Sequence, residues 1–212
     1  MIRPAALPLL FFASGALALV YEVLWQRRFA LSFGGGATAA AAVLAAYFAG
    51  LGVGSHVLGG AAARITRPLR VYAVLEALVA FGALLSLPLS SAAEQLIVVV
   101  PGAVSHAGPR AGLEVLVAFV ALALPTFAMG GTLPVLARLS EVEGRHLGTG
   151  VGLLYAVNTA GAALGALAVP FVVLPGLGAK GGLLATVGAN LVVAVLAWTM
   201  DRPLPDRAES PK

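Results

Sequence analysis

The chain has 212 residues, 60% of them hydrophobic and only 10% charged, with a mean hydropathy of +0.98. That composition excludes an ordinary soluble domain, because too few polar residues are available to cover the outside of a core. The net charge is +4, but its basic residues are dispersed without interleaved stacking aromatics, which speaks against a nucleic-acid surface. No cysteine is present, so disulfide and thiolate chemistry are excluded too.

Six apolar stretches fill the chain, at 5–24, 37–58, 71–89, 113–139, 148–174 and 178–200, with nearly all charged residues between them. Each has the roughly 20 residues a helix needs to cross about 30 Å of hydrocarbon. In lipid the backbone must bond to itself, which leaves helices or closed barrels. Barrel strands would alternate in polarity, and these runs are apolar on every side. The prediction is an all-α integral membrane protein of about six transmembrane helices. Residues 1–200 form one six-span domain and 201–212 a polar cytoplasmic tail.

The first stretch also fits the template of a secretory leader, with Arg3, an apolar run and small residues. The run continues past Val20 into Tyr21 and Trp25, which suit an interfacial aromatic belt and favour a retained span. Glu22 lies late in this span, one turn before Gln26. The second span holds Tyr47 and a glycine series, Gly50, Gly52 and Gly54. Glu76 sits about two turns inside the third. An outer connector over 90–112 follows, whose apolar residues 96–100 before Pro101 are too short to cross and are expected at the interface.

Glu114 opens the fourth span, which then carries Pro125, Gly130, Gly131 and Pro134. Each proline removes a backbone hydrogen bond, so this span is either a kinked packing helix or a helix break of the kind that forms substrate and ion sites. Gly148-Thr149-Gly150-Val151-Gly152 superficially resembles a nucleotide-binding turn, but a charged loop precedes it and an apolar span follows, so no cofactor is expected. The fifth span has Asn158 and the close-packing pair Gly161 and Gly165; the sixth has Asn190. His56, His106 and His146 stand far apart, and no metal site is expected from them.

With the N-terminus inside, the cytoplasmic side holds nine basic residues: Arg3, Arg64, Arg67, Arg70, Arg138, Arg145, Arg202, Arg207 and Lys212. The outer side holds four, Arg27, Arg28, Arg110 and Lys180, which predicts a multi-pass protein with both termini cytoplasmic. Spans 1–3 then start inside and spans 4–6 outside, the plan of inverted three-helix halves. Ionisable groups within spans are functional candidates because charge is costly in hydrocarbon. The expected substrate-binding set is Glu22, Glu76 and Glu114 as cation-attracting carboxylates, with Tyr47, Asn158 and Asn190 as polar contacts near the midplane. Snorkelling, local pairing and interhelical hydrogen bonding are the alternative roles for the same residues.

Four ordered motifs carry a family resemblance. They are 14–28, with Tyr21-Glu22-Val23-Leu24-Trp25-Gln26; 43–55, with Tyr47-Phe48-Ala49-Gly50-Leu51-Gly52; Met129-Gly130-Gly131-Thr132-Leu133-Pro134; and 154–167, with Leu154-Tyr155-Ala156-Val157-Asn158. Together they resemble the membrane domain of the bacterial fused transporter-like/spermidine synthase family. The resemblance implies a bundle like half of a major-facilitator transporter in the bacterial inner membrane. In the family a cytosolic aminopropyltransferase domain that binds decarboxylated S-adenosylmethionine and a polyamine follows. This sequence departs there: after Met200 comes a short proline-containing tail with no glycine-rich nucleotide turn, so transferase activity is not carried over.

The expectation is therefore a non-catalytic membrane module that docks a partner and handles a small cation such as a polyamine. A soluble S-adenosylmethionine-binding transferase-like protein and a second copy of the chain are the partners to consider, besides the lipid bilayer. The alternatives are a transporter made of two six-helix halves and a structural subunit of a membrane complex.

Overall fold

The computed structural model describes residues 6–33, 37–99, 107–142 and 147–201, which are helical almost throughout. Arg3, Pro101, His106, Arg145, His146 and the tail residues 202–212 lie outside them. The elements are α1 (Ala6–Ser32), α2 (Ala37–Ala61), a short 3₁₀ turn (Ala62–Arg64), α3 (Pro68–Val99), α4 (Ala107–Val142) and α5 (Leu147–Ala168). A π-helical turn (Val169–Val173) then leads into α6 (Leu174–Thr199).

Among the described residues, five helical runs are long and apolar enough to cross a membrane: Ala6–Ser32, Ala39–Arg64, Pro68–Ala92, Arg110–Leu139 and Gly148–Thr199. The last has 52 residues. Straight, it would reach about 78 Å, far more than one hydrocarbon layer. It is divided at Gly178, whose φ of 67° and ψ of 178° only glycine adopts readily. A Cβ on Gly182 would collide with the Val173 side chain, although nine residues of continuous helix would separate them by about 13 Å. The chain therefore folds back at Gly178, and the expected fifth and sixth spans are two arms of one run.

The connector differs from expectation. Helix α3 continues to Val99 and α4 begins at Ala107, so 90–99 extend a helix and do not form a separate interfacial segment. Ala92, Ala93, Glu94, Gln95 and Leu96 are strong helix formers, and nothing there stops the helix before Pro101.

Interhelical hydrogen bonds fix the helix directions. Leu10–Tyr72, Ser14–Glu76, Trp25–Ser86 and Arg28–Ser90 climb together, so α1 and α3 are parallel. Asn190 meets Glu76 while Asp201 meets Arg70, so α6 runs against α3. Tyr21 and Trp25 are fully buried, with ring centroids 5.3 Å apart and the Trp25 indole donating to Ser86 at 2.9 Å. They are core residues, which corrects their expected place in an interfacial belt. At one end of the bundle Arg110 donates to the Phe33 carbonyl. At the other, Asp201 accepts from the Arg70 backbone N–H at 3.3 Å and pairs with Arg67 and Arg70 at 3.3 and 3.0 Å.

The closest helix contacts come in two matched sets. Helix α2 packs along α4, and α5 along α1. Gly54 abuts the Phe127 carbonyl, Gly130 the Leu51 carbonyl, and Gly131 the Leu58 side chain. In the same order Gly161 abuts the Phe12 carbonyl, Gly15 the Asn158 carbonyl, and Gly165 the Ala16 carbonyl. Phe12, Gly15 and Ala16 thus correspond to Phe127, Gly130 and Gly131, and Leu51, Gly54 and Leu58 to Asn158, Gly161 and Gly165, with identical spacings. Small residues let two backbones touch, and this is where dispersion replaces the missing hydrophobic force between helices in lipid.

A methyl group at these contacts has no room. Gly130→Ala and Gly161→Ala should each lower stability by about 1–3 kcal/mol, as overpacked sites do. Gly52→Ala, at a position with open space around it, should be neutral or stabilising. Unfolding of purified protein in mixed detergent micelles measures all three.

Candidate functional site

A polar cluster lies where α1, α3 and α6 meet. On α3, Tyr72 and Glu76 are four residues apart and share one face. Glu76 is eight residues from the start of α3, or about 12 Å along the helix axis. Its side chain is 2% exposed. Ser14 of α1 donates to Oε1 at 2.5 Å, and the Asn190 amide of α6 donates to Oε2 at 2.6 Å and to the Glu76 backbone carbonyl at 2.9 Å. The Tyr72 hydroxyl, against the same carboxyl, donates to the Leu10 carbonyl at 3.3 Å.

Among the described residues every hydrogen-bond partner of Glu76 is neutral, and two of them reach it from different helices. A carboxylate in hydrocarbon needs donors and a positive counter-charge, and the described residues supply only the donors. Tyr21 adds a second feature. It is fully buried, yet its hydroxyl has no hydrogen-bond partner among the described residues. The cluster can therefore hold a proton or a small cation.

The other expected site residues are distributed differently. Glu22 accepts from Gln26 at 2.9 Å, and the buried Tyr47 of α2 lies within its electrostatic reach. That pair is separate from the Glu76 cluster. Glu114 is taken up by an ion pair with Arg110 at 2.9 Å. Asn158 donates to the Phe11 carbonyl at 3.0 Å, on the face of α1 that packs against α5. So Asn190 joins Glu76, whereas Tyr47 and Asn158 do not, and the expected common level of polar contacts resolves into three places.

The expected helix break is not present. Helix α4 continues through Pro125 and Pro134. Thr126 donates to the Leu122 carbonyl at 2.6 Å and Thr132 to the Met129 carbonyl at 2.7 Å, which keeps the threonines' hydroxyls satisfied inside the helix. Pro125 packs on Gly82 of α3, while Gly130 and Gly131 receive α2. All four residues serve packing, because the neighbouring helices fit into the space they leave.

Ser14, Tyr72 and Tyr21 were not among the expected site residues. The available signals were spacings: Tyr72 and Glu76 at i,i+4, and Ser14 and Tyr21 at i,i+7, each putting polar groups on one face of an apolar helix. No protein-family model, curated protein or solved structure matches this chain.

Asn190 and Glu76 interact directly, so their substitutions should not be additive. A double-mutant cycle of Glu76→Ala and Asn190→Ala, each of which removes the side-chain contact, should give a coupling of about 0.6–2 kcal/mol by unfolding in detergent, the range for hydrogen bonds between membrane helices. Zero coupling would mean that the contact contributes nothing to the fold.

Proposed function

We propose that this chain is a non-catalytic membrane module that binds a small cation at Glu76. The observation that carries the reading is a buried carboxylate held by Ser14 and Asn190, both of them neutral, where three helices converge. An intramembrane acid without a fixed basic partner marks an ion or substrate path more often than a packing site.

Two further features support a half-transporter architecture. The matched contacts exchange α1 with α4 and α2 with α5, and α1 and α4 run in opposite directions, as inverted halves require. The sequence repeats at the same places, Phe12-Ala13-Ser14-Gly15 and Phe127-Ala128-Met129-Gly130. The nine-to-four excess of basic residues supports a cytoplasmic setting for the Arg67 end of the bundle. The spermidine-synthase-like resemblance makes the bacterial inner membrane the setting and a polyamine the first cation to try. It also makes a soluble S-adenosylmethionine-binding protein the first partner.

The test uses the full chain in nanodiscs, titrated with methylammonium and with spermidine by calorimetry. Glu76→Gln keeps the size and one acceptor oxygen while removing the charge, so it should fold and lose at least tenfold in affinity, about 1.4 kcal/mol. Equal affinity of the two proteins would remove Glu76 from the site.

A transporter built from two copies is the second reading, favoured by α5. That helix buries the stripe holding Leu154, Gly161 and Gly165 but leaves Tyr155 63% exposed, with Thr159 exposed one turn on. Polar groups facing lipid gain from a covering partner. The chain lacks cysteine, so Thr159→Cys provides a unique probe. Oxidative cross-linking of that variant in membranes into a dimer supports this reading, and a purely monomeric product rejects it.

A further inference from the structure

Charge is sparse in this chain, yet Arg64, Arg67 and Arg70 all fall in the short turn that joins α2 to α3. The turn meets the end of α6, because Asp201, just past Thr199, pairs with Arg67 and Arg70 at 3.3 and 3.0 Å. The Asp201 side chain is 2% exposed, whereas those of Arg67 and Arg70 are 40% and 44% exposed. Each arginine gives this acid one nitrogen, Nη1 of Arg67 and Nε of Arg70, and most of each guanidinium's donors stay free among the described residues. Arg64 is exposed and has no hydrogen-bond or ion-pair partner among the described residues. Three positive charges thus stand beside one negative charge that is already enclosed.

Trp198 sets the level of this cluster relative to lipid. Leu191, Val195 and Trp198 recur along α6 at intervals of four and three, and all are exposed, so this face of a membrane-spanning helix meets lipid. Trp198 lies in the last turn of α6, where an amphipathic ring sits at headgroup level. The Arg70 guanidinium stands over that ring, 4.9 Å from its centroid. Arg70 is therefore on the lipid-facing perimeter, at the height of the lipid phosphates.

We infer that this corner binds the headgroup phosphate of an acidic phospholipid, with Arg64, Arg67 and Arg70 as donors and the Trp198 face of α6 beside its acyl chains. The guanidinium fork matches pairs of phosphate oxygens. A zwitterionic headgroup brings an ammonium that the three arginines repel, and the one acid present is enclosed and cannot receive it. A free phosphate ion would satisfy the arginines but leave the ring and the apolar face unused. The site is separate from Glu76 and does not depend on the reading of that residue as a cation site.

Trp198 can report its own lipid neighbours, since the only other tryptophan, Trp25, is fully buried. The full chain is reconstituted in phosphatidylcholine vesicles, and tryptophan fluorescence is titrated with phosphatidylglycerol or phosphatidylcholine brominated close to the headgroup. The same titration of Trp198→Phe removes the Trp25 background. Half-maximal quenching should need about fivefold less brominated phosphatidylglycerol than brominated phosphatidylcholine, the preference that a single arginine near a membrane surface supplies. Arg64→Gln and Arg67→Gln should each bring the two lipids to within about twofold of one another. Arg64 contacts no other described side chain, so its variant tests the charge without disturbing the fold. Equal quenching by the two lipids in the unmodified chain would overturn the inference, and so would a preference undiminished in Arg64→Gln. Inorganic phosphate, compared with chloride at equal ionic strength, should leave the preference in place. Its loss would make the corner a site for free phosphate and overturn the lipid assignment.

Discussion

Hydrocarbon offers no hydrogen bonds, and this one constraint orders the whole bundle. Each polar side chain inside a span must find its partner within the protein or bear a desolvation penalty. Thr126, Thr132 and Thr186 meet that demand locally by bonding a carbonyl three or four residues back on their own helix. Glu76 cannot, because a carboxylate accepts and does not donate, and the helical N–H groups around it are already bonded. Its donors therefore come from other chain segments, 62 residues before it and 114 after it. The acid thereby gathers α1, α3 and α6 at one point.

The second constraint is contact distance. Helices in lipid gain little from excluding lipid tails, so they associate by touching closely. The α1–α5 and α2–α4 interfaces achieve this with glycines against carbonyl groups. Helix α6 packs on α3 and α1. It is held at its far end by the Asp201 ion pairs and by Arg70 over the Trp198 ring at 4.9 Å, and in the middle by Asn190.

Much of the architecture was legible in the sequence because it depends on composition. Apolar runs of twenty residues and more announce membrane helices whatever their neighbours, and Gly161 and Gly165 announced a tight seam. The partnerships were not legible, because they depend on helix rotation and order of packing. Glu22, Glu76 and Glu114 look alike along the chain, yet one sits by a glutamine, one among neutral donors, and one in an ion pair with Arg110. Tyr47 lies by Glu22 and Asn158 bonds to Phe11, so neither meets Asn190. Pro125 and Pro134 left a break open because the propensity of an isolated helix is against them, whereas α4 continues through both and packs on Gly82 and α2. The repeat of Phe-Ala-x-Gly in α1 and α4 stood in plain sight, but four residues among so many small apolar ones have no weight until the contacts align them.

One backbone angle has an outcome larger than its size. Gly178 is the reversal point between the arms of the last helical run, and no other described residue has a positive φ. With the turn, the run returns to the end of the bundle where α1 begins, and Asp201 docks onto the start of α3. Without it, the same residues would form one rod pointing away from the bundle, and the segment after Met200 would emerge on the opposite side of the membrane. The parity of the chain, and so the compartment into which anything joined to its C-terminal end would be delivered, turns on a glycine with open space where a side chain would stand.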